Sequence, residues 1–202
     1  LDYDNFATIG HFGWSGNLVF FKIWNFFSAL IINFNLKMKR ILLLSDTHSY
    51  IDDRILDYVK DADEVWHCGD FGNMTVIEEL EKIKPIRGVY GNIDEAKIRT
   101  IFPEVLSFKC EEVDVLMIHI GGYPDKYSTL AKKEIAEKKP KLFISGHSHI
   151  LKAMHDKKNN LLHLNPGACG KSGWHKVRTM IRFTINKEEI KDLEIIELGA
   201  RV

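Results

Sequence analysis

Five short segments place side chains able to bind metals directly after apolar runs. They are Asp46-Thr47-His48, Gly69-Asp70, Gly91-Asn92, His119 and Gly146-His147-Ser148-His149. Imidazole nitrogens, carboxylates and an amide oxygen, with no thiolate among them, suit Mn²⁺, Fe, Ni²⁺ or Zn²⁺ rather than a structural cysteine site. Residues two apart on extended chain project to one side, so Asp46 with His48, and His147 with His149, can converge on one point. Glycines beside them let the backbone turn tightly where groups crowd. Taken singly, each element also has a bland reading. Asp46 can cap a following helix, Gly-Asp and Gly-Asn are common turn dipeptides, and a lone His119 in an apolar strand is commonly a satisfied core histidine. The joint order D-x-H, GD, GN, H, GHxH at successive strand ends decides for metal.

The elements that must position these residues follow from periodicity. Apolar runs over 40–45, 64–68, 85–90, 105–110, 113–118 and 142–145 read as strands, and helical spacing appears over 51–60, 74–83 and 126–139. Beyond 145 the pattern changes to strands joined by short turns, over 150–155, 161–164, 178–185 and 193–198. Strand–helix alternation followed by antiparallel strands predicts two packed sheets with helices outside. Loops at the carboxyl ends of sheet strands are where open α/β folds place their ligands. Of the other histidines, His67 is expected to pack within its strand. His155 and His163 fall in the antiparallel region, and His175, in a glycine-rich loop, is a substrate-contact candidate.

The chain has 202 residues, with 28 Lys+Arg balancing 28 Asp+Glu. No excess positive charge is available for a polyanionic backbone, which argues against a dedicated nucleic-acid binder. Three distant cysteines, Cys68, Cys110 and Cys169, make no disulfide framework, and a reducing cytoplasm is the expected setting. Composition shifts near position 38. Residues 1–37 hold ten aromatic and only four charged residues. Their apolar stretch 18–36 is interrupted by Lys22, Asn25, Asn33 and Asn35, short of the roughly 20 apolar residues a spanning helix wants. A membrane anchor, a helix packing on the domain or a partner, and an appendage outside the working protein are the three readings of this leader. The third is favoured, because Met38 stands directly before the strand KRILLLSD. The expected working domain is 38–202, without stable membrane insertion.

The ordered motif set resembles the calcineurin-like metallophosphoesterase superfamily, within it the compact prokaryotic phosphodiesterases. The segment Leu164–Gly170 (LNPGACG) is similar to the NPG turn that follows the GHxH strand in those members. The resemblance covers essentially all of 38–202 and implies a four-layer α/β-β/α sandwich of two mixed sheets. Carried over, it implies one metal on Asp46, His48, Asp70 and His149, and a second on Asp70, Asn92, His119 and His147, with Asp70 bridging. Two divalent ions, Mn²⁺ first with Fe, Ni²⁺ or Zn²⁺ as alternatives, would sit roughly 3.5–4 Å apart and deliver hydroxide to phosphorus in line. The neutral amide of Asn92 leaves its metal more electrophilic and gives that residue a catalytic role.

Two departures sharpen the expectation. Many relatives carry histidine after the Gly-Asn pair, where this chain has Ile93; proton donation must then come from water, Asp94 or His175, or be absent. Relatives often carry H-G-H where this chain reads His119-Ile120-Gly121-Gly122. Both departures favour substrates with good leaving groups, or modest catalysis; the resemblance implies a small phosphoester as substrate, a diester more than a monoester. A homo-oligomer is compatible with the sequence. The alternative from another class is a non-catalytic protein-binding scaffold of the same fold, as in the retromer subunit. All seven expected ligands are present, which favours the enzyme.

Overall fold

Alternation inside one strand explains the layering. In β1 (Lys39–Leu44), Ile41 and Leu43 pack into one apolar core while Leu42 and Leu44 pack into another. Successive side chains of a strand face opposite sides of the sheet. A strand buried on both sides therefore needs cover above and below, and its run of apolar residues is near-continuous. The computed structural model describes residues 38–201. The leader 1–37, with its membrane and appendage readings, lies outside the described residues.

β1 joins β2 (Glu64–His67), β3 (Ile86–Gly88), β9 (Val177–Asn186) and β10 (Glu189–Ala200) in a sheet of order β10-β9-β1-β2-β3. The second sheet has the order β4-β5-β6-β8-β7, built from β4 (Val105–Cys110), β5 (Val113–Ile118), β6 (Leu142–Ile144), β7 (Lys152–Asp156) and β8 (Leu161–Asn165). Both are mixed. β1, β2 and β3 run parallel with β9 antiparallel to β1. β5, β6 and β8 run parallel, flanked by antiparallel β4 and β7. Between the sheets lies a core of Ile41, Leu43, Trp66, Val115, Met117, Ile144 and Phe183.

Helices cover the outer faces. α1 (Asp53–Asp61), α2 (Met74–Glu81) and α3 (Ala96–Ile101) bury Ile55, Val59, Val76, Ile77, Leu80 and Ile98 against the first sheet. α4 (Thr129–Lys138) buries Ala131 and Ile135 against Leu116, Ile118 and Phe143 of the second. This is the expected four-layer α/β-β/α sandwich. Asp52 caps α1, its Oδ1 accepting from the Ile55 amide at 3.0 Å. Asp46 is thereby free of the capping role that a bland reading assigns it.

Two expectations are corrected. β8 is not part of a purely antiparallel region: it returns between β6 and β7 and pairs parallel with β6, Phe143 opposite His163. The β7–β8 turn fixes only their own antiparallel pairing, so which neighbour β8 meets is decided by packing. Helix α3 is absent from the sequence reading, because six residues with one buried side chain, Ile98, give no periodic signal. Among the described residues no helix is long and apolar enough to cross a membrane.

Candidate metal centre

The carboxyl ends of β1, β2 and β3 meet those of β5 and β6 at one edge of the sandwich. Backbone bonds run past the strands and fasten the loops together. The Asp46 amide donates to the Gly69 carbonyl at 3.0 Å, His48 to Asp70 at 3.0 Å and Ser49 to Phe71 at 2.8 Å. From behind, Cys169 and Gly170 of the LNPGACG segment donate to the carbonyls of Ser45 and Asp46, both at 3.1 Å. Across the sheets, Gly146 donates to the His119 carbonyl at 3.0 Å.

Local conformation aims the side chains. Asp46, His48, Asp70, His147 and His149 all have left-handed backbone, with φ of 56°, 48°, 57°, 66° and 55°. Non-glycine residues avoid this region, and such strain persists where surroundings over-determine it, typically at functional sites. Gly69, at φ 91°, has a different reason: a Cβ there would lie 2.5 Å from Nδ1 of His119. Gly91 likewise leaves room for the Asp70 carboxylate.

The side chains form two adjacent clusters, Asp46–His48–His149 and Asp70–His119–His147. In the first, Nε2 of His149 lies 3.2 Å from Oδ1 of Asp46 and 3.2 Å from Nε2 of His48. In the second, Nε2 of His119 lies 3.3 Å from Oδ2 of Asp70 and 3.1 Å from Oδ1 of Asn92. The same Asp70 Oδ2 is 3.8 Å from Nε2 of His48 in the first cluster. Asp46 links back through Oδ2, which accepts from the His147 amide at 3.1 Å. All seven sequence-predicted ligands therefore meet at one place, with Asp70 between the clusters.

The donor set fits cations. Nδ1 of His119 lies 2.7 Å from the Cys68 carbonyl, so the ring proton is assigned there and the Nε2 lone pair faces two more acceptors, Asp70 Oδ2 and Asn92 Oδ1. Three converging acceptors repel unless a proton or metal stands among them. Oδ1 of Asp46 is buried and accepts no hydrogen bond. A buried carboxylate oxygen left so is costly unless a positive charge compensates. Burial pushes the Asp70 carboxyl up, but His119, the Ile93 amide and His48 outweigh it and hold it below the usual range. Burial pushes His119 down, while Asp70 and Asp46 carry it above its ordinary value. Burial, seconded by His119, holds His147 below its own. The cysteines stay apart: burial raises the Cys110 thiol to about 11 and Cys169 to about 12, so neither supplies a thiolate.

The two substrate-contact candidates fare differently. His175 stands beside the first cluster, its ring centroid 5.2 Å from that of His149, with Nε2 at 3.0 Å from the Gly170 carbonyl. Asp94 is buried, and its carboxylate accepts from the Gly72 amide at 2.8 Å and the Gly91 amide at 2.7 Å. It shapes the turn that carries Asn92 instead of facing open space. Sequence reasoning missed the supports. Arg99 of α3 donates to the carbonyls of Asp94, Gly91 and Asn92 at 2.7, 3.3 and 3.0 Å. His67, stacked on Phe71, takes the Gly69 amide on Nδ1 at 3.2 Å and meets the Thr47 hydroxyl at 3.0 Å. Asn165 donates to the Gly146 carbonyl at 2.9 Å. The NPG segment was the one signal in the sequence for this second layer.

Residues 38–188 match the family described as calcineurin-like phosphoesterase superfamily domain. A Methanothermobacter thermautotrophicus protein named "Probable metallophosphoesterase" is 30% identical over 168 residues, covering 79% of this chain and 93% of its own length. "Phosphodiesterase MJ0936" of Methanocaldococcus jannaschii is 24% identical over 146 residues, covering 64% and 84%. Among solved structures, a Vps29 from Entamoeba histolytica superposes with TM-score 0.62 at 17% identity, covering 79% of this chain and 99% of that one.

Proposed function

Since the chain belongs to the calcineurin-like phosphoesterase superfamily, we propose that it is a phosphodiesterase dependent on two divalent metals. The observation that carries this reading is the meeting of two adjacent clusters, with Asn92 beside the second and Oδ2 of Asp70 3.3 Å from His119 and 3.8 Å from His48 of the first. Asp46, His48, Asp70 and His149 would hold one ion, and Asp70, Asn92, His119 and His147 the other. Mn²⁺ is the first candidate, with Fe, Ni²⁺ and Zn²⁺ as alternatives. When bound, such a pair activates water near neutral pH and neutralises charge on the phosphoryl oxygens.

The chain's own residues set the rest. The Cys68 carbonyl orients His119, and the His147 amide and Oδ2 of Asp46 tie the two clusters together. Asn92 offers a neutral oxygen, which leaves more positive charge for the substrate than a carboxylate would. Among the described residues, positions 93 and 94 offer no acid to a leaving group, and His175 has only its Nδ1 unengaged. Ile93 has no proton to give, both Asp94 oxygens are engaged by backbone amides, and Nε2 of His175 is held on the Gly170 carbonyl. Esters with good leaving groups are therefore the favoured class.

The likeness to Vps29 structures shows the fold alone. Intact ligand clusters favour catalysis over the scaffold reading, because a scaffold needs no converging acceptors. The test is hydrolysis of bis(4-nitrophenyl) phosphate by protein loaded with Mn²⁺, after chelation, and after Mn²⁺ is restored. Turnover that is lost and regained supports the reading. No turnover with any of the four metals contradicts it.

A further inference from the structure

Beside the second cluster the surface opens into a cavity of about 260 Å³, with Asn92 and His119 in its wall. Its apolar lining comes from Tyr90, Ile118, Ile120 and Leu130. Ile120 is 47% exposed, and Ile93, next to Asn92, is 44% exposed. Each of these isoleucines directly follows a candidate ligand. Ile120, a large apolar side chain of the lining held in water, loses the stabilisation that burial would bring, and a ligand that covers it restores it.

Charge and size bound what can enter. Arg99 lines the cavity, but its Nε and Nη2 are spent on the turn carbonyls and its guanidinium lies 4.6 Å over the Tyr90 ring. Glu104 is the other charged residue of the lining, so the wall carries one charge of each sign. The volume falls below the roughly 300–1,000 Å³ of drug-sized sites, so it accepts one ring system and not a stretch of polymer.

We propose that this cavity is the subsite for the organic group of the phosphoester, and that it selects a ring-bearing group over a small alkyl one. The proposal rests on the phosphodiesterase reading and adds the substrate class to it. Tyr90 and Leu130 flank the ring, Ile120 covers it, and the phosphoryl group remains at Asn92 and His119.

Leaving-group chemistry also favours aryl esters, so the test reads binding of phosphonates, which have no ester to cleave. Phenylphosphonate and methylphosphonate are titrated into the Zn²⁺-loaded and the metal-free full chain, followed by amide chemical shifts. The phenyl compound is expected to bind at least tenfold tighter, a difference of about 1.4 kcal/mol, with shifts centred on 90–92 and 118–120. Ile120→Ser should cut that ratio to about threefold or less. Ile150→Ser, an exposed residue after His149 that does not line the cavity, should leave it in place. Equal affinities, or an equal loss in both variants, overturn the subsite. Ring preference with no hydrolysis of any diester would instead sink the phosphodiesterase reading and leave the cavity's selectivity standing as measured.

Discussion

At position 93 the chain carries isoleucine, and the structure puts it where substrate chemistry would notice. Its amide donates to Oδ1 of Asp70 at 3.0 Å, so the residue is tied to the shared carboxylate while its side chain stands 44% exposed. A positioned acid contributes about 10²–10⁴-fold when a poor leaving group departs. Wild type should accordingly prefer aryl diesters to alkyl monoesters. Ile93→His should raise monoester turnover by about tenfold more than diester turnover, read as steady-state rates on matched aryl mono- and diesters. A wild-type preference for alkyl monoesters would show that another acid already acts. At this scale the meeting of the seven candidate ligands was legible because strand-end position and two-residue spacing are properties of sequence. Asp94 was not, because whether a carboxylate meets solvent or two backbone amides depends on how Gly72 and Gly91 turn toward it.

Strands and loops do the positioning, and one buried histidine couples them to pH. His163 of β8 faces Ser145, just after β6, with Nε2 and Oγ 3.0 Å apart, and that hydroxyl donates to the Gly122 carbonyl at 3.0 Å. Burial, seconded by Lys152, holds the imidazole at about 4, below its ordinary 6.5. Between those values the unfolded chain binds a proton that the folded chain refuses, so stability rises with pH across this window and is lost as pH falls through it. The loss is about 3 kcal/mol. Urea midpoints of chelated protein between pH 7 and 4 should therefore fall less steeply in His163→Gln; parallel slopes would remove this role. At the scale of elements, β1, β2, β4 and β5 were legible as short apolar runs bounded by turn residues. α3 was not, since its one buried residue gives no period. The parallel β6–β8 pair was not, since a hairpin turn says nothing of the strand beyond it. Nor was the left-handed backbone at five candidate ligands, which only the convergence of the loops imposes.

On the scale of the molecule, four layers bring the carboxyl ends of two sheets to one edge, and every candidate ligand comes from that edge. The described domain buries its own core from β1 onward, with Leu42, Leu43 and Leu44 at 1% exposure or less. A chain begun at Met38 should therefore fold and hydrolyse aryl diesters like the full chain, judged by thermal melts and turnover of both. An insoluble or inactive truncation would give residues 1–37 a part in the working protein. The two-sheet architecture was legible because strand–helix alternation followed by strands allows few packings; the cavity beside Asn92 was not, because its walls come from five separate segments. The account as a whole turns on Asp70. Its Oδ2 lies 3.3 Å from one histidine and 3.8 Å from another in the neighbouring cluster, so one carboxylate should hold two ions together. The most direct measurement is metal content per chain, by elemental analysis after Mn²⁺ loading and desalting, in wild type and Asp70→Asn. Two ions in wild type and at most one in the variant, with diester turnover lost, is the predicted result. Two ions retained in Asp70→Asn, with turnover intact, would contradict it.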